Sequence, residues 1–252
     1  MKRTVLITGA TGRLGRVMAR YLAERGWSLV LTSRDAARSA PLARELRALG
    51  VGVATVDLDL LSVRSRETLA DRVADAGVTV THFVSNARSL DTLECGANGL
   101  AGGQAFLDEL TVGVVAPYRV LMAFAQHPAH DLRAIVSIGS QYGEVAANPA
   151  LHIDSPGGSP VQYGVGKAAL HHLTRELAVR LAPRVRVNCV AFGGFEGRAS
   201  VAVRDRYGTM APAGRMLAEQ DAGGPVAFLL DDAASAAVTG HVLVADGGWS
   251  IW

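Results

Sequence analysis

A short apolar run, Thr4–Thr8 (TVLIT), stops at Gly9-Ala10-Thr11-Gly12-Arg13-Leu14-Gly15, and a helical pattern starts directly behind it. Leu14, Val17, Met18, Tyr21 and Leu22 fall at i, i+3, i+4, i+7 and i+8, which is one face of a helix. Gly26 then stands where a helix C′ residue belongs. Glycines at intervals of three let the backbone turn sharply and approach a pyrophosphate closely. The helix behind them offers unpaired N–H groups and a positive dipole end to an anion. Strand, glycine turn and helix in this order point to a βαβ unit with a dinucleotide at its first turn. Thr8, Gly9, Thr11, Gly12, Arg13, Leu14 and Gly15 are the residues placed to hold it.

The alternation continues along the chain. Ser28–Thr32, Val51–Val56, Val78–Val84, Ala134–Ile138, Arg184–Val190 and His241–Val244 read as further strands. Leu42, Leu46 and Leu49 mark a second helix closed by Gly50, and Leu69 and Val73 a third. Longer helices are expected near 104–126 and from Tyr163 to about residue 182, with a short one over Pro225–Leu230. Strands separated by helices give parallel pairing with right-handed crossovers. The predicted fold is therefore α/β, a doubly wound parallel sheet (Rossmann fold) of about seven strands with helices on both faces. No repeat or linker interrupts the 252 residues, so 1–252 reads as one domain.

Composition excludes several classes. The net charge of +2 carries no block of like charge, which argues against nucleic acid. Cys95 and Cys189 form neither a metal-spaced pair nor a disulfide framework, so no metal is expected and a cytoplasmic protein with free thiols is. Val5-Leu6-Ile7 is too short for a signal-peptide core, and no apolar stretch approaches membrane-spanning length.

The second strand ends in Leu31-Thr32-Ser33-Arg34-Asp35. An NAD site presents an acid here to the ribose hydroxyls. Ser33 followed by Arg34 suits a 2′-phosphate instead, and Arg13 adds charge at the helix start, so NADP(H) is favoured over NAD(H). A register shift of one residue would make Asp35 a ribose ligand. Further on, Tyr163 and Lys167 lie four apart and share a helix face. A phenol ordinarily titrates at about pH 10 and is a poor base near neutrality. A neighbouring ammonium stabilises the phenolate.

Taken together, TGATGRLG at 8–15, Asp57-Leu58, Ser85-Asn86-Ala87, SIGSQYG at 137–143, Tyr163-x-x-x-Lys167, RVNCVAFGG at 186–194 and TGHVLVADGGW at 239–249 resemble the short-chain dehydrogenase/reductase family over nearly the whole chain. The resemblance implies a nicotinamide cofactor and Ser140, Tyr163 and Lys167 as catalytic residues. It places Asp57 and Leu58 beside the adenine, and Asn86, Ala87 and Gly193 along the cofactor, with Tyr163 and Lys167 also touching it. The chain departs from the family pattern at Arg13, which replaces the middle glycine of the usual motif, and at Arg88, which follows Asn86-Ala87 where glycine is usual. Gly113 stands in place of a supporting Asn, Phe192 in place of a Pro, and Gly197 in place of a Thr. The Gly-x-x-Gly-x-x-Gly spacing is similar to that of extended and atypical members, some of which only sense nucleotides.

Twenty-two residues separate Ser140 from Tyr163, and Asn148-Pro149, Ser155-Pro156-Gly157-Gly158 and Ser159-Pro160 are turn signals within them. This predicts a folded excursion at about 143–162 that passes over the reaction site. Arg88, Gln141, His152, Asp154 and Gln162 are its candidate substrate contacts. A long loop before the Tyr, with the altered Asn-Ala-Arg, more loosely resembles family oxidoreductases of bacterial nonulosonic-acid and glycan-modification pathways. The expected activity is hydride transfer between NADP(H) and an alcohol or carbonyl of a polar, sugar-like and anionic small molecule. Two alternatives are a sugar-nucleotide epimerase or dehydratase on the same scaffold, and a nucleotide-sensing protein with little turnover. A sensor needs none of Ser140, Tyr163 and Lys167, and 252 residues leave little room for the larger C-terminal region of the extended members. Val114, Val115, Leu121, Leu170, Leu173 and Leu177 spread beyond one helix face and predict a homotetramer, or else a homodimer.

Overall fold

Successive residues of a strand point to opposite sides of its sheet, and in this chain both sides are apolar. Val5 and Ile7 of β1 (Thr4–Ile7) enter one core with Leu29 and Leu31 of β2 (Ser28–Ser33). Leu6 and Val30 enter the other, together with Phe83 of β4 (His82–Ser85). The remaining strands are β3 (Val53–Asp57), β5 (Ala134–Ser140), β6 (Arg186–Phe192) and β7 (Val242–Ala245). They form a seven-stranded parallel sheet in the order β3-β2-β1-β4-β5-β6-β7. This computed structural model describes residues 3–151, 153, 158–197 and 199–251. His152 and Asp154, two of the candidate substrate contacts, lie outside the described residues.

Helices α1 (Arg13–Ala23) and α2 (Ala40–Arg47) cover the first face through Met18, Leu22, Leu42 and Leu46. The short α3 (Val63–Glu67) is followed by α4 (Leu69–Asp75), and α5 (Gly103–Leu110) by α6 (Ala116–Gln126) and α7 (Val161–Leu181). Leu69, Val73, Val120, Phe124 and Leu177 from these helices close the second face. Next come α8 (Val201–Met210) and α9 (Gly223–Leu230), the latter adding Val226 and Leu229 to the first core. Among the described residues no helix is long and apolar enough to cross a membrane.

The structure differs from the sequence-based expectation at two elements and at a set of leucines. The strand expected from Val78 starts at His82, because the Val80 N–H donates to the His130 ring at 3.3 Å and its carbonyl accepts from Asp131 at 3.1 Å. Those groups are occupied before the ladder with β1 begins at Val5↔His82. The helix expected over 104–126 is broken by a π-turn at Thr111–Val115. Pro117 has no N–H to offer the carbonyl four residues back, and the wider turn accommodates the mismatch. Leu121, Leu170 and Leu177 are buried within the chain, so they do not need a second copy to cover them. The exposed large apolar side chains on these helices are Leu107, Val115, Tyr118, Val161, Val165 and Val179, of which Val115 was among those expected.

Two histidines sit inside this frame. His82 is fully buried, edge-on to Trp27 at 4.6 Å, with Nε2 3.3 Å from Asp232. His130 stacks on Phe124 at 4.7 Å. Burial is the main cause that pushes both below the ordinary histidine range, and Asp232 only partly opposes it at His82. Their depressed values make the folded state bind fewer protons than the unfolded chain. The stability they contribute is complete above about pH 6.5 and lost as pH falls below it. Thermal denaturation followed by circular dichroism should show Tm falling from about pH 7.5 to pH 5. The fall should be shallower in a His82→Gln, His130→Gln double variant; equal slopes would contradict the assignment.

Candidate active site

Strand order reverses between β1 and β4, and the crevice outside their carboxyl ends is where open α/β sheets take ligands. A cavity of about 880 Å3 opens there. Thr11, Gly12, Arg13, Leu14 and Gly15 form one wall, and Asn86, Ala87 and Arg88 another. Ser140, Gln141, Tyr142, Tyr163, Lys167 and Gly193 close the far end.

The glycine turn is built for close approach. Gly9 has a φ of +64°, and a Cβ on it would lie 2.8 Å from the Ala87 Cα. A Cβ at Gly15 would meet the Gly9 carbonyl at 2.4 Å. Helix α1 begins at Arg13, so its first-turn N–H groups face the crevice. Thr8 does not line the cavity. Its hydroxyl accepts from the N–H groups of Asn86 and Ala87 at 2.9 and 3.0 Å, while the Asn86 amide donates to the Thr8 carbonyl at 2.9 Å. Thr8 and Asn86 thus tie the ends of β1 and β4 together across the point of reversal. A site this close to backbone, with free N–H groups and a narrow glycine floor, fits a dinucleotide.

At the end of β2, Ser33, Arg34 and Arg38 line the cavity. The Asp35 carboxylate turns away and accepts from the Ala37 N–H at 2.9 Å, capping the turn Ala36–Ser39. That settles the register: the strand ends at Ser33, and Asp35 is a cap. The Ser33 hydroxyl is shared with Ser39 at 3.0 Å. Arg38 was not singled out from the sequence, although its spacing of four from Arg34 was the available signal. Leu58 lines the cavity beside Asp59, but Asp57 does not. The Asp57 carboxylate is bonded to Arg72 at 3.0 Å, which removes it from the expected place beside an adenine.

Arg13 also departs from expectation. Its guanidinium donates to Glu219 at 2.7 Å and lies against Gly197, where a Cβ would come within 1.8 Å of Nη1. It reaches the loop after β6 rather than reinforcing Arg34. The missing middle glycine and the missing Thr thus meet in space, the Arg13 guanidinium lying where a side chain at 197 would start.

At the reaction end, Tyr163 and Lys167 enter the cavity from α7. The Lys167 ammonium lies 5.6 Å from the Tyr163 ring centroid and donates to the Ile138 carbonyl at 2.8 Å. The Arg88 guanidinium lies 5.8 Å from the same ring. The Ser140 hydroxyl accepts from the Tyr142 N–H at 3.2 Å, which leaves its own hydrogen free to donate. Gln141 lines the cavity but is committed: its Oε1 accepts from the Tyr207 hydroxyl at 2.8 Å. Burial pushes Tyr207 up to about 12, so that phenol stays protonated and donates. Gln162 is not at the cavity. It is fully buried, and its amide donates to the Thr92 and Glu94 carbonyls at 3.1 and 3.4 Å. One face of α7 points to the cavity and the next packs on its neighbours, so adjacent residues 162 and 163 part company. Behind the π-turn, the buried Glu109 accepts from the Thr92 hydroxyl and occupies the room beside Gly113 and Gly166.

In the described part of the excursion Pro149–Leu151 forms a single 3-10 turn. Leu151 packs with Tyr207, Ala211, Met216 and Trp249 in a small core of which Leu151, Tyr207 and Met216 line the cavity, and Tyr207 stacks on Trp249 at 4.3 Å. Tyr207 was missed from the sequence because it lies in a charge-rich stretch, Arg204-Asp205-Arg206, that shows no clear apolar stripe. Among the described residues no group of three His, Cys, Asp or Glu side chains is arranged to hold a metal ion.

Residues 9–250 match a protein family described as Enoyl-(Acyl carrier protein) reductase. The galactitol 2-dehydrogenase (L-tagatose-forming) of Cereibacter sphaeroides is 30% identical, over 98% of this chain and 94% of its own. The cis-4-hydroxycyclohexanecarboxylate dehydrogenase of Sinomonas cyclohexanicum is 34% identical, over 99% of this chain and 97% of its own. A solved gluconate 5-dehydrogenase from Burkholderia cenocepacia, in complex with NADP and tartrate, shares the fold with a TM-score of 0.85. That match spans 100% of this chain and 97% of the other at 24% identity. The chain belongs to the short-chain dehydrogenase/reductase family as an NAD(P)-dependent oxidoreductase.

Proposed function

We propose that the protein transfers hydride between NADP(H) and an alcohol or carbonyl carbon of a polar, sugar-like and anionic substrate, with Tyr163 as acid and base. The observation that carries this reading is the Tyr163 ring inside the crevice, with the Lys167 and Arg88 cations at 5.6 and 5.8 Å from its centroid. A nicotinamide bound in this crevice would supply or accept the hydride. Tyr163 gives its proton to the carbonyl oxygen in reduction and takes the alcohol proton in oxidation. Ser140 donates its free hydroxyl hydrogen to the same substrate oxygen and orients it. Arg88 pairs with a carboxylate or phosphate elsewhere on the substrate. Leu151, Tyr207 and Met216 line the same cavity and would shield the reacting atoms from water.

The activities of two relatives support a polar substrate. One acts on a polyol and another on a hydroxylated ring bearing a carboxylate, while the gluconate 5-dehydrogenase crystal holds NADP and tartrate. Preference for NADP(H) rests on Arg34 and Arg38 at the end of β2, with Asp35 withdrawn into its cap. Leu107, Val115, Val161 and Val165 remain exposed on α5, the π-turn and α7, and a homotetramer that buries them is the assembly we propose.

In a panel of ketoses, hydroxy acids and polyols, Tyr163→Phe should lower kcat by about 10²–10⁴-fold while NADPH binding stays near normal. In the same panel, Arg88→Ala should raise KM for carboxylate-bearing substrates by about tenfold and leave neutral polyols unaffected. A near wild-type rate in Tyr163→Phe would mean another acid/base. Isothermal titration should give tighter binding of NADPH than of NADH, and Arg34→Ala should weaken NADPH by about tenfold or more; equal wild-type affinities would end the preference. Light scattering at micromolar concentration should report a mass of about four chains, and a monomer would overturn the assembly.

A further inference from the structure

The second residue by which α7 grips β5 is His171, one helical turn beyond Lys167. Lys167 takes the Ile138 carbonyl at 2.8 Å, and the His171 Nε2 lies 3.4 Å from the Ser140 N–H nitrogen. The ring is 2% exposed. Its Nδ1 lies 2.7 Å from the Glu144 carboxylate, in the turn that follows Ser140. A carboxylate only accepts, so Nδ1 carries the hydrogen. Nε2 is then bare and accepts from Ser140. The backbone around the ring leaves room for nothing larger than glycine. A Cβ at Gly139 would lie 2.3 Å from Nε2, and one at Gly143 2.5 Å from Cε1.

We propose that His171, oriented by Glu144, is a positioning residue for Ser140: as the neutral Nδ1–H tautomer it holds the Ser140 N–H, and protonation releases it. The inference rests on the role given to Ser140 above. Protonated imidazole has a hydrogen on both nitrogens, so N–H would face N–H and the end of β5 would lose its acceptor. The surroundings keep the ring neutral. Burial is the main cause that pushes His171 below the ordinary range, and Lys167 and Arg175 push the same way, while Glu144 opposes them. From β6 the Cys189 thiol faces the same pocket, pushed up to about 12 by burial and therefore uncharged. Acid should thus misplace the Ser140 hydroxyl without touching Tyr163. In the reduction direction Tyr163 acts as the proton donor, so a loss of rate on the acid side points elsewhere.

The test has an arm that needs no substrate. Nitrogen-15 NMR of the full chain should show His171 as the Nδ1–H tautomer, with the Ser140 amide resonance moving at the His171 midpoint. An Nε2–H tautomer, or a Ser140 amide that stays still through that titration, overturns the proposal. In carbonyl reduction, His171→Leu should lose on the order of ten- to a hundredfold in kcat, and His171→Gln, whose amide oxygen can still accept, should recover most of it. His171→Gln should also lack the acid limb of the kcat profile, and Glu144→Gln should move that limb to lower pH. An unchanged limb in His171→Gln refutes the idea, and Glu144→Gln decides it if His171→Leu fails to fold. If the protein reduces no carbonyl at all, the functional reading fails while the NMR result still judges His171.

Discussion

The chemistry proposed here depends on one contact between elements, the seating of α7 against the carboxyl end of β5. A tyrosine and a lysine four residues apart are common on helices. They become useful when the helix is fixed against a strand end that carries the group for the substrate oxygen. In this chain α7 takes the carbonyl of Ile138 through Lys167 and the N–H of Ser140 through His171, on either side of Gly139. The same ammonium stays 5.6 Å from the Tyr163 ring centroid. The lysine therefore has a structural partner, and the spacing of Ser140, Tyr163 and Lys167 is held by side chains of α7 bonded to the backbone of β5.

Seen this way, the departures from the family pattern fall into compensating sets. Arg13 occupies the place of a glycine, and Gly197 makes room for its guanidinium while Glu219 neutralises it. Gly113 stands where a supporting Asn is usual. Beside it the Glu109 carboxylate takes the Thr92 hydroxyl, and Gln162 takes the Thr92 carbonyl from α7. The loop after β4 is thereby pinned from two helices. Arg88 places a second cation near Tyr163 from that same loop, where glycine would place none.

Much of this was legible in the residues themselves. Periodicity and glycine punctuation placed the strands and their parallel pairing, because a parallel sheet buried on both faces writes itself as unbroken apolar runs. The glycine turn, Arg34 and the Tyr163–Lys167 pair could be placed because each depends on local spacing. What could not be read depends on partners far away in sequence. Nothing near Asp57 announces Arg72, nothing near Gln162 announces the carbonyls at 92 and 94, and nothing near Arg13 announces Gly197 and Glu219. The π-turn had a local cause in Pro117, but a helical pattern hides a single inserted residue. Tyr207 became visible only once Leu151, Met216 and Trp249 were gathered around it.

The central claim is that this crevice turns substrate over by hydride transfer and does not merely bind a nucleotide. Incubation with NADPH deuterated at C4 of the nicotinamide, followed by mass spectrometry and NMR of the alcohol formed from a hydroxy-ketone acid, tests it directly. Deuterium on the carbinol carbon, in one-to-one ratio with oxidised cofactor, is the result expected. Tight NADPH binding with no label leaving the cofactor, across polyol-derived and carboxylate-bearing ketones alike, would contradict it.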